Sequence, residues 1–370
     1  MRDGKVWKLS ASALILALAV VTMGVIGGCG RSTTTTETSP SPGSSASAGT
    51  GVKLTKVAVI TPEKGNDFGW NQQGVEGAKA AADAVGAELI VQDGAGYGDI
   101  SPIMNQLASA GAQFIFPWAS GYNTVAPEMA KQLNIPVTTS DPGSESANVP
   151  GLVQAMETNG QNGGYLAGVL AAKMTKTGTV AIVVSAEDLN WSKMSGGFIA
   201  GARSVTPAIK ILFVQIGQAA YADAAGGKRV TASAISGGAD IVFGMGDGSS
   251  FGMMQAVETA TPPSGADKVW FIDVIGDKTS LDKKGIYLSS VLWDWSTLMT
   301  KALTDFEAGT LGTASYYLGL DNGMGLLQTQ YIPADVWSAI ETAKQGVIDG
   351  SITVPTLTSS KEVKALIAKP

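Results

Sequence analysis

From Lys56 onward, short runs rich in β-branched residues alternate with alanine-rich segments of helical length, and this alternation limits the fold more than any other feature. Such a pattern builds parallel sheets whose strands are joined by helices. It begins again at Asn159, so two similar arrays follow one another along the chain. We therefore predict an α/β protein of two lobes, each a parallel sheet flanked by helices, with a ligand cleft between the lobes.

The boundaries of the lobes follow from the same pattern. The first array predicts strands at Lys56–Thr61, Glu88–Gln92, Phe114–Pro117 and Pro136–Thr139. The second array predicts a helix around Ser195–Val205 and strands at Val180–Val184, Ile211–Ile216, Ile241–Phe243 and Val269–Val274. The chain beyond about residue 293 is too short for a third domain, so we expect it to return and complete both lobes. We predict an N-terminal lobe of residues 52–157 plus about 293–322, and a C-terminal lobe of residues 158–292 plus about 323–370.

The N-terminus has the pattern of an export signal. Basic residues precede an uncharged, mainly apolar stretch, Leu9–Ile26, which predicts a signal peptide over residues 1–28. The stretch is about long enough to span a bilayer, so a retained membrane anchor is the alternative. It closes on Ile26-Gly27-Gly28-Cys29, which resembles the lipobox of bacterial lipoproteins. On that resemblance Cys29 becomes the N-terminus and carries lipid, including palmitate, although a free thiol is the other possibility.

Residues 29–51 are mostly Ser, Thr, Gly, Pro and Ala, and they predict a disordered tether because they hold too little apolar surface to offset the entropy of ordering. Together with the lipid, the tether would hold the folded body at the extracytoplasmic face of the bacterial cell membrane.

Composition excludes several classes of function. Cys29 is the only cysteine and histidine is absent, which rules out internal disulfides, zinc sites and histidine-dependent catalytic triads. A net charge of −6 disfavours nucleic acid as a partner. The glycine-rich segment 244–252 lacks the ending of a P-loop, and the first βα turn is no dinucleotide fingerprint. We predict a monomer without cofactor or metal that binds a small molecule.

The loop after the first strand, Gly65-Asn66-Asp67-Phe68-Gly69-Trp70-Asn71, is the first candidate site. Asp67 can accept hydrogen bonds, Asn71 can donate and accept, and Trp70 offers a ring face for stacking. The alternative is structural: Asp67 caps the following helix and Trp70 packs inside.

Several motifs together resemble the basic membrane protein family of bacterial lipoproteins. They are the Asp67, Trp70 and Asn71 loop, Gly163-Gly164-Tyr165-Leu166-Ala167-Gly168, Thr175-Lys176-Thr177-Gly178, Gly196 to Gly201, Tyr221-Ala222-Asp223, and Gly238 to Phe243. The likeness covers Val57 to about Gly325. It implies the type I fold of periplasmic binding proteins and a receptor for purine nucleosides that serves an ABC permease.

Carried over position by position, the resemblance implies roles for individual residues. Trp70 and Tyr221 would sandwich a nucleobase from opposite lobes. Asp141 and Asn71 would bind polar atoms of the base, and Asp273 would hold ribose hydroxyls. Each of these carboxylates could instead be a helix cap or a surface charge.

Four further candidates come from departures or from position. Trp293 stands where the family pattern has a lysine, and Asp247 is a carboxylate that the pattern does not require. Trp118 and Trp191 follow strand-like runs and add rings to the cleft walls. Because stacked rings with carboxylates also suit sugars and cationic amines, these remain alternative ligands.

The function predicted from the sequence is capture of a small polar ligand and its delivery to an ABC permease, with no bond made or broken. The first candidate for this ligand is a purine nucleoside. The rival from another class is an exported hydrolase using Asp67 and Asp273 as acid and base. A receptor that signals rather than transports is a third possibility.

Overall fold

The computed structural model describes residues 51–369. The predictions for the signal peptide, for lipidation of Cys29 and for almost all of the tether lie outside this range.

Twelve strands form two six-stranded sheets within the described residues. In chain order the strands are β1 Lys56–Ile60, β2 Glu88–Gln92, β3 Phe114–Pro117, β4 Val137–Ser140, β5 Val153–Thr158, β6 Thr179–Val184, β7 Lys210–Gln215, β8 Ile241–Met245, β9 Trp270–Ile275, β10 Tyr287–Trp293, β11 Tyr316–Leu318 and β12 Met324–Leu326. The first sheet has the order β11-β5-β4-β3-β1-β2, and the second has the order β12-β10-β9-β8-β6-β7. All pairs are parallel except β10 with β12.

Helices cover both sheets. In chain order they are α1 Trp70–Val85, α2 Ser101–Ser109, α3 Val125–Leu133, α4 Gly160–Met174, α5 Leu189–Val205, α6 Ala224–Ser236, α7 Ser249–Thr259, α8 Ser296–Ala308, α9 Ala334–Ile348 and α10 Ser360–Ala368. None of the helices between residues 51 and 369 has the length and apolar character that a membrane crossing requires.

The central strands are apolar on both faces, as parallel strands covered by helices must be. In β1, Val57 and Val59 point into the core shared with α1 and α8, whereas Ala58 and Ile60 point into the core under α2 and α3. The second sheet repeats this arrangement, with α4 and α5 on one face and α6 and α7 on the other. Each sheet therefore has a helical layer on either side, which is the predicted α/β class.

The path of the chain links the two sheets repeatedly. The chain leaves the first sheet after β5, returns to pack α8 against α1 after β10, and passes again to the second sheet between β11 and β12. The segment beyond residue 293 thus contributes a strand to each sheet. Lobes joined by adjacent connections of this kind can rotate about them as a hinge.

The glycine motifs in α4 and α5 have a packing role. A Cβ on Gly164 would lie 2.2 Å from the carbonyl oxygen of Met194, and one on Gly197 would lie 1.9 Å from that of Gln161. The two helix backbones therefore touch, which only glycine permits. This contact holds the start of α5 in place beside the cleft.

The structure differs from the sequence-based elements at a few places. The prediction omitted β5, β12 and α10, and it started α5 at Ser195 instead of Leu189. Asp188 causes the earlier start, because its carboxylate accepts from the backbone N–H groups of Asn190 and Trp191. Trp191, expected in a loop after a strand, therefore lies in the first turn of a helix.

Candidate functional site

A cavity of about 410 Å³ lies where the carboxyl ends of the strands of both sheets face each other. This volume falls in the range of about 300–1,000 Å³ that is typical of small-molecule sites. The N-terminal lobe lines it with Pro62, Trp70, Tyr97, Ala119, Ser120, Gly121, Ser140 and Asp141. The C-terminal lobe lines it with Glu187, Asp188, Leu189, Asn190, Trp191, Tyr221, Asp247, Ile275 and Trp293. Open α/β sheets bind ligands at this edge.

Trp70 stands at the start of α1 and forms one wall. Its ring is stacked on Trp118, with the centroids 4.5 Å apart and the planes 13° apart. Each indole N–H donates to the other residue's backbone carbonyl, over 2.9 Å from Trp70 and 3.0 Å from Trp118. Trp118 is fully buried behind the wall and Trp70 is half-buried. One ring face of Trp70 is therefore backed by Trp118, which fixes the orientation of the ring that lines the cavity.

Trp293 and Trp295 complete a tryptophan cluster around this wall. Both meet Trp70 edge-on, with centroid distances of 6.3 Å and 6.1 Å. Trp293 lines the cavity, and its buried indole N–H has no hydrogen-bond partner among residues 51–369. Its N–H is therefore left without the acceptor that a buried indole normally has.

The aromatic groups of the opposite lobe are held by hydrogen bonds. The Trp191 indole N–H donates to Ser185 Oγ over 2.9 Å, and the Tyr221 hydroxyl donates to Asp188 over 2.8 Å. The same Asp188 carboxylate caps α5. Burial raises the pKa of Asp188, while the hydrogen bond from Tyr221 opposes that rise. Both rings are thus positioned by polar contacts before a ligand arrives.

Asp141 joins the two lobes. It follows β4, and it accepts from the backbone N–H of Thr158 over 2.7 Å and from the Asn190 side chain of the other lobe over 2.9 Å. Lys193 on α5 lies 3.6 Å from it and 3.9 Å from Glu157. Burial, followed by the charge of Asp141, raises the pKa of Glu157. Asp141 therefore lines the cavity with a carboxylate that is already well supplied with donors.

The lobes touch directly beside the cavity. Gly276 follows β9 in the C-terminal lobe, and a Cβ on it would lie 2.1 Å from the carbonyl oxygen of Phe68 in the other lobe. Phe68, Asp141 and Ile275 all have positive φ, at 54°, 47° and 72°. Side chains rarely adopt this conformation, and such strain concentrates at functional sites. The loops at the lobe contact are therefore held in strained shapes.

Asp247 carries a carboxylate that lacks partners. It follows β8 and lines the cavity, and its Oδ1 is buried without a hydrogen-bond partner in the described part of the chain. Burial, followed by the nearby charges of Asp67 and Glu63, raises the pKa of Asp247 to about 8, against the attraction of Lys278. At neutral pH this carboxyl group is mostly protonated.

The structure places six of the ten predicted residues on the cavity surface: Trp70, Asp141, Trp191, Tyr221, Asp247 and Trp293. The other four lie behind it. Trp118 is one of these, because it is fully buried behind the ring of Trp70.

Asp67 and Asn71 brace the loop that carries Trp70. Asp67 accepts from the backbone N–H groups of Gly69 and Gln72, over 2.9 Å and 3.0 Å, and so caps α1. The Asn71 amide donates to Asp67 over 2.7 Å and accepts from the Glu63 backbone over 3.1 Å. Their polar atoms are used within the loop, which is the structural alternative recognised for Asp67.

Asp273 is buried inside the second lobe. Its carboxylate lies 2.6 Å from the Lys278 ammonium and 3.1 Å from the Ser250 hydroxyl, and neither charged side chain reaches solvent. The residue lies within β9 and not beyond its end, so its side chain points to one face of the sheet. The ribose contact predicted for Asp273 therefore has no free carboxylate in this geometry.

Sequence reasoning missed several lining residues, chiefly Tyr97, Asp188 and Asn190. Tyr97 lies in the long loop after β2, and its hydroxyl donates to Glu63 over 3.1 Å. Asp188 is an N-cap residue, and the Asp188-Leu189-Asn190 sequence before an apolar helix could have revealed it. Tyr97 had no comparable signal beyond its position after a strand.

The arrangement suits binding of a polar, ring-bearing molecule. Aromatic faces from both lobes can stack on a ring. Trp293 has a free donor, Asp247 has a free oxygen, and the buried hydroxyl of Ser140 also lacks a partner within the described residues. Buried polar groups are normally paired, so a ligand with both donors and acceptors would satisfy them.

Comparisons with known proteins agree with this geometry. Residues 54–356 match the family described as Bmp, ABC transporter substrate-binding protein PnrA-like. The chain is 28% identical over 329 residues to the ABC transporter nucleoside-binding protein BmpA of Lactococcus lactis subsp. cremoris, with 81% of this chain and 89% of that protein covered.

Solved structures show the same fold. An ABC transporter solute-binding protein from Aeropyrum pernix superposes with a TM-score of 0.70 at 18% identity, covering 85% of this chain and 98% of that one. A periplasmic solute-binding protein from Actinobacillus succinogenes with bound D-allose superposes with a TM-score of 0.56 at 18% identity, covering 74% and 97%. The predicted family resemblance and two-lobed fold are confirmed, and the family's role implies an extracytoplasmic location. The chain belongs to the Bmp family of PnrA-like ABC transporter substrate-binding proteins.

Proposed function

We propose that this chain is a lipid-anchored receptor that captures a small polar ligand and presents it to an ABC permease. A purine nucleoside is the first candidate for this ligand. The observation that carries the proposal is the cavity between the lobes, where aromatic rings from both lobes accompany buried polar atoms without partners. Cys29 would carry the lipid, and the receptor would act as a monomer at the extracytoplasmic face of the membrane.

Capture would occur by closure of the lobes. A ligand in the cavity contacts both lobes at once, so it stabilises the arrangement in which they touch over any more open one. The contact between Gly276 and Phe68, and the hydrogen bond from Asn190 to Asp141, belong to that arrangement. We take the boundaries of the two lobes to be those predicted from the sequence, 52–157 plus about 293–322 and 158–292 plus about 323–370, with Trp293 at the end of β10 counted in the C-terminal lobe. A permease would recognise the joined surface of the closed lobes.

The nucleoside is favoured because the Lactococcus relative is named as nucleoside-binding and aligns over most of both chains. We assign direct ligand contact to the six predicted residues on the cavity surface. Trp118, Asp67 and Asn71 would support the Trp70 wall, and Asp273 would hold Lys278. Sugars remain the second candidate, since the same fold binds D-allose in a distant structural neighbour.

The positions of the carboxylates support binding without chemical turnover. The acid and base pair considered for a hydrolase was Asp67 with Asp273. Asp67 is used as a helix cap, and Asp273 is paired with a buried lysine. Neither lines the cavity, so this pair could not attack a bound ligand from both sides.

Tryptophan fluorescence tests the proposal, because Trp70, Trp191 and Trp293 line the cavity. The full-length protein in detergent would be titrated with adenosine, inosine, guanosine, D-allose and leucine. We expect a saturable change with at least one purine nucleoside and none with leucine, together with unaltered ligand after long incubation by chromatography. A response to D-allose alone would replace the nucleoside by a sugar, and protein-dependent product formation would refute binding without turnover.

A further inference from the structure

The charges around the cavity are unbalanced. Asp141, Glu187, Asp188 and Asp247 line it, whereas no lysine or arginine of the described chain does. Two buried lysines close to acidic residues of this region are already paired with carboxylates. Lys193 forms ion pairs with Asp141 and Glu157, and Lys278 forms one with Asp273.

Three of the four lining carboxylates have donors from the protein. Asp141 accepts from Thr158 and Asn190, as described above. Asp188 accepts from the backbone of Asn190 over 2.8 Å and from the Tyr221 hydroxyl over 2.8 Å. Glu187 is exposed, and it accepts from the Ser360 backbone over 2.8 Å. Asp247 is different, because its Oδ1 is buried and has no hydrogen-bond partner among the residues that the structure describes.

Asp247 also faces acidic groups of the other lobe. A Cβ on Gly69 would lie 3.7 Å from Asp247 Oδ1 and 3.5 Å from Asp67 Oδ2, so carboxylates of both lobes approach the same point. The titratable and charged groups that act on Asp247 from the surrounding loops are Asp67, Glu63, Asp188, Tyr97, Tyr221 and Lys278. Of these only Lys278 is basic, and its ammonium is bound by Asp273.

The remaining walls are aromatic. Trp70, Tyr97, Trp191, Tyr221 and Trp293 line the same cavity. The faces of such rings carry partial negative charge and attract cations, most strongly where water is excluded. Residues 51–369 contain no group of three Asp, Glu, His or Cys side chains placed to hold a metal ion.

We propose that the ligand of this cavity carries a cationic nitrogen, an ammonium, amidinium or guanidinium group, which donates a hydrogen bond to Asp247 and lies among the aromatic rings. The inference rests on the proposed function, since it narrows the class of ligand captured at that site. It makes Asp247, which the family pattern does not require, the residue that determines specificity.

Cation binding would be linked to release of a proton. Burial, Asp67 and Glu63 raise the pKa of Asp247 to about 8, so the free carboxyl is protonated at neutral pH. A cationic group favours the ionised carboxylate, so its binding competes with the proton. Affinity for the cation should therefore rise by about tenfold between pH 6 and pH 7, and level off above the pKa. A neutral ligand would show no such rise.

Matched ligands separate this inference from the proposed function. The full-length protein would be titrated with adenosine, with its cationic relatives 1-methyladenosine, 3′-amino-3′-deoxyadenosine and 5′-amino-5′-deoxyadenosine, and with tyramine as a ring amine without a nucleoside. We expect at least one cationic compound to bind about tenfold more tightly than adenosine.

The variant Asp247→Asn keeps the shape of the neutral carboxyl and removes the charge. It should abolish both the preference for the cation and its rise with pH, and leave the circular dichroism spectrum unchanged. Asp335→Asn removes a charge from an exposed turn of α9 and should keep both.

Each outcome decides between the two ideas. Binding of adenosine with no preference for any cation, or a preference that survives in Asp247→Asn, overturns the inference and leaves the nucleoside receptor standing. Binding of tyramine alone, lost in Asp247→Asn, supports the inference and removes the nucleoside. Failure of every compound to bind the folded protein counts against both.

Discussion

Alanine at Gly276 should weaken ligand binding by preventing the lobes from meeting. The added Cβ would lie 2.1 Å from the Phe68 carbonyl oxygen and 2.8 Å from its carbon, closer than real contacts allow. The φ angle of Gly276 is not in the positive range, so alanine is otherwise acceptable at this position. The clash lies between the lobes, and a small opening relieves it.

The size of the effect follows from the contact. Forcing one extra carbon into a packed contact costs about 1–3 kcal/mol. If that cost falls on the closed arrangement alone, ligand affinity drops by about 5- to 150-fold. The free energy of unfolding should fall by less, because the free protein can open.

The assay pairs ligand titration with thermal unfolding and small-angle scattering. Gly98→Ala is the matched control, since its Cβ would have no neighbour within 4 Å and its φ is not positive. We expect Gly276→Ala to bind weakly, to keep its melting temperature within a few degrees, and to show a larger radius of gyration with ligand than the control. Wild-type affinity in Gly276→Ala would refute closure at this contact. A loss of folding stability as large as the loss of binding would show that the clash cannot be relieved by opening.

Other predictions concern the wall, the buried charges and the anchor. Trp70→Ala should reduce ligand affinity about tenfold or more, because stacking on the ligand is lost. Trp337→Ala, on α9 away from the cavity, should leave affinity unchanged. Equal losses of affinity in the two variants, measured by calorimetry, would contradict stacking of the ligand on Trp70. The raised pKa of Asp247 means that the folded state holds a proton that the unfolded chain releases, so its contribution to stability falls by about 1.4 kcal/mol per pH unit between about pH 4 and pH 8. In denaturant titrations, the free energy of unfolding of Asp247→Asn should therefore increase relative to wild type as pH rises from about 4 to about 8. The same pH dependence of unfolding free energy in both proteins would contradict a raised pKa of Asp247. Lys278→Met leaves Asp273 buried without its charged partner and should lower the free energy of unfolding by about 3–5 kcal/mol. An unchanged free energy of unfolding would show that this ion pair does not stabilise the fold. Cys29→Ser should abolish labelling with radioactive palmitate and partition into detergent, and retained labelling would exclude Cys29 as the lipid site.

Much of the site could be predicted because a parallel sheet brings the carboxyl ends of its strands to one edge. Trp70, Asp141, Tyr221 and Asp247 all follow strands that were recognised from β-branched runs, and all line the cavity. The glycines of α4 and α5 were recognised as a family motif, but their purpose became visible only when the two backbones were seen to touch.

Local pattern was less informative for short or capped elements. The strands β5 and β12 were missed; β12 has only three residues, and its hydrogen-bond partners lie far away in sequence. The start of α5 was placed too late because the cap at Asp188 was overlooked, and this hid Asp188 and Asn190 from the list of candidates.

The sequence by itself determined the alternating α/β plan, the two lobes and the edge of the sheets at which polar and aromatic side chains gather. Tertiary structure alone decided which of those side chains remain free. Asp67 and Asp273 carry the same carboxylate as Asp247, yet the first turn of a helix and a buried lysine use their oxygens, whereas Asp247 Oδ1 has no partner within residues 51–369. Residue type and position along a strand set the groups that can reach the cavity, but the pairing of each group depends on neighbours that only the folded chain brings within hydrogen-bond distance.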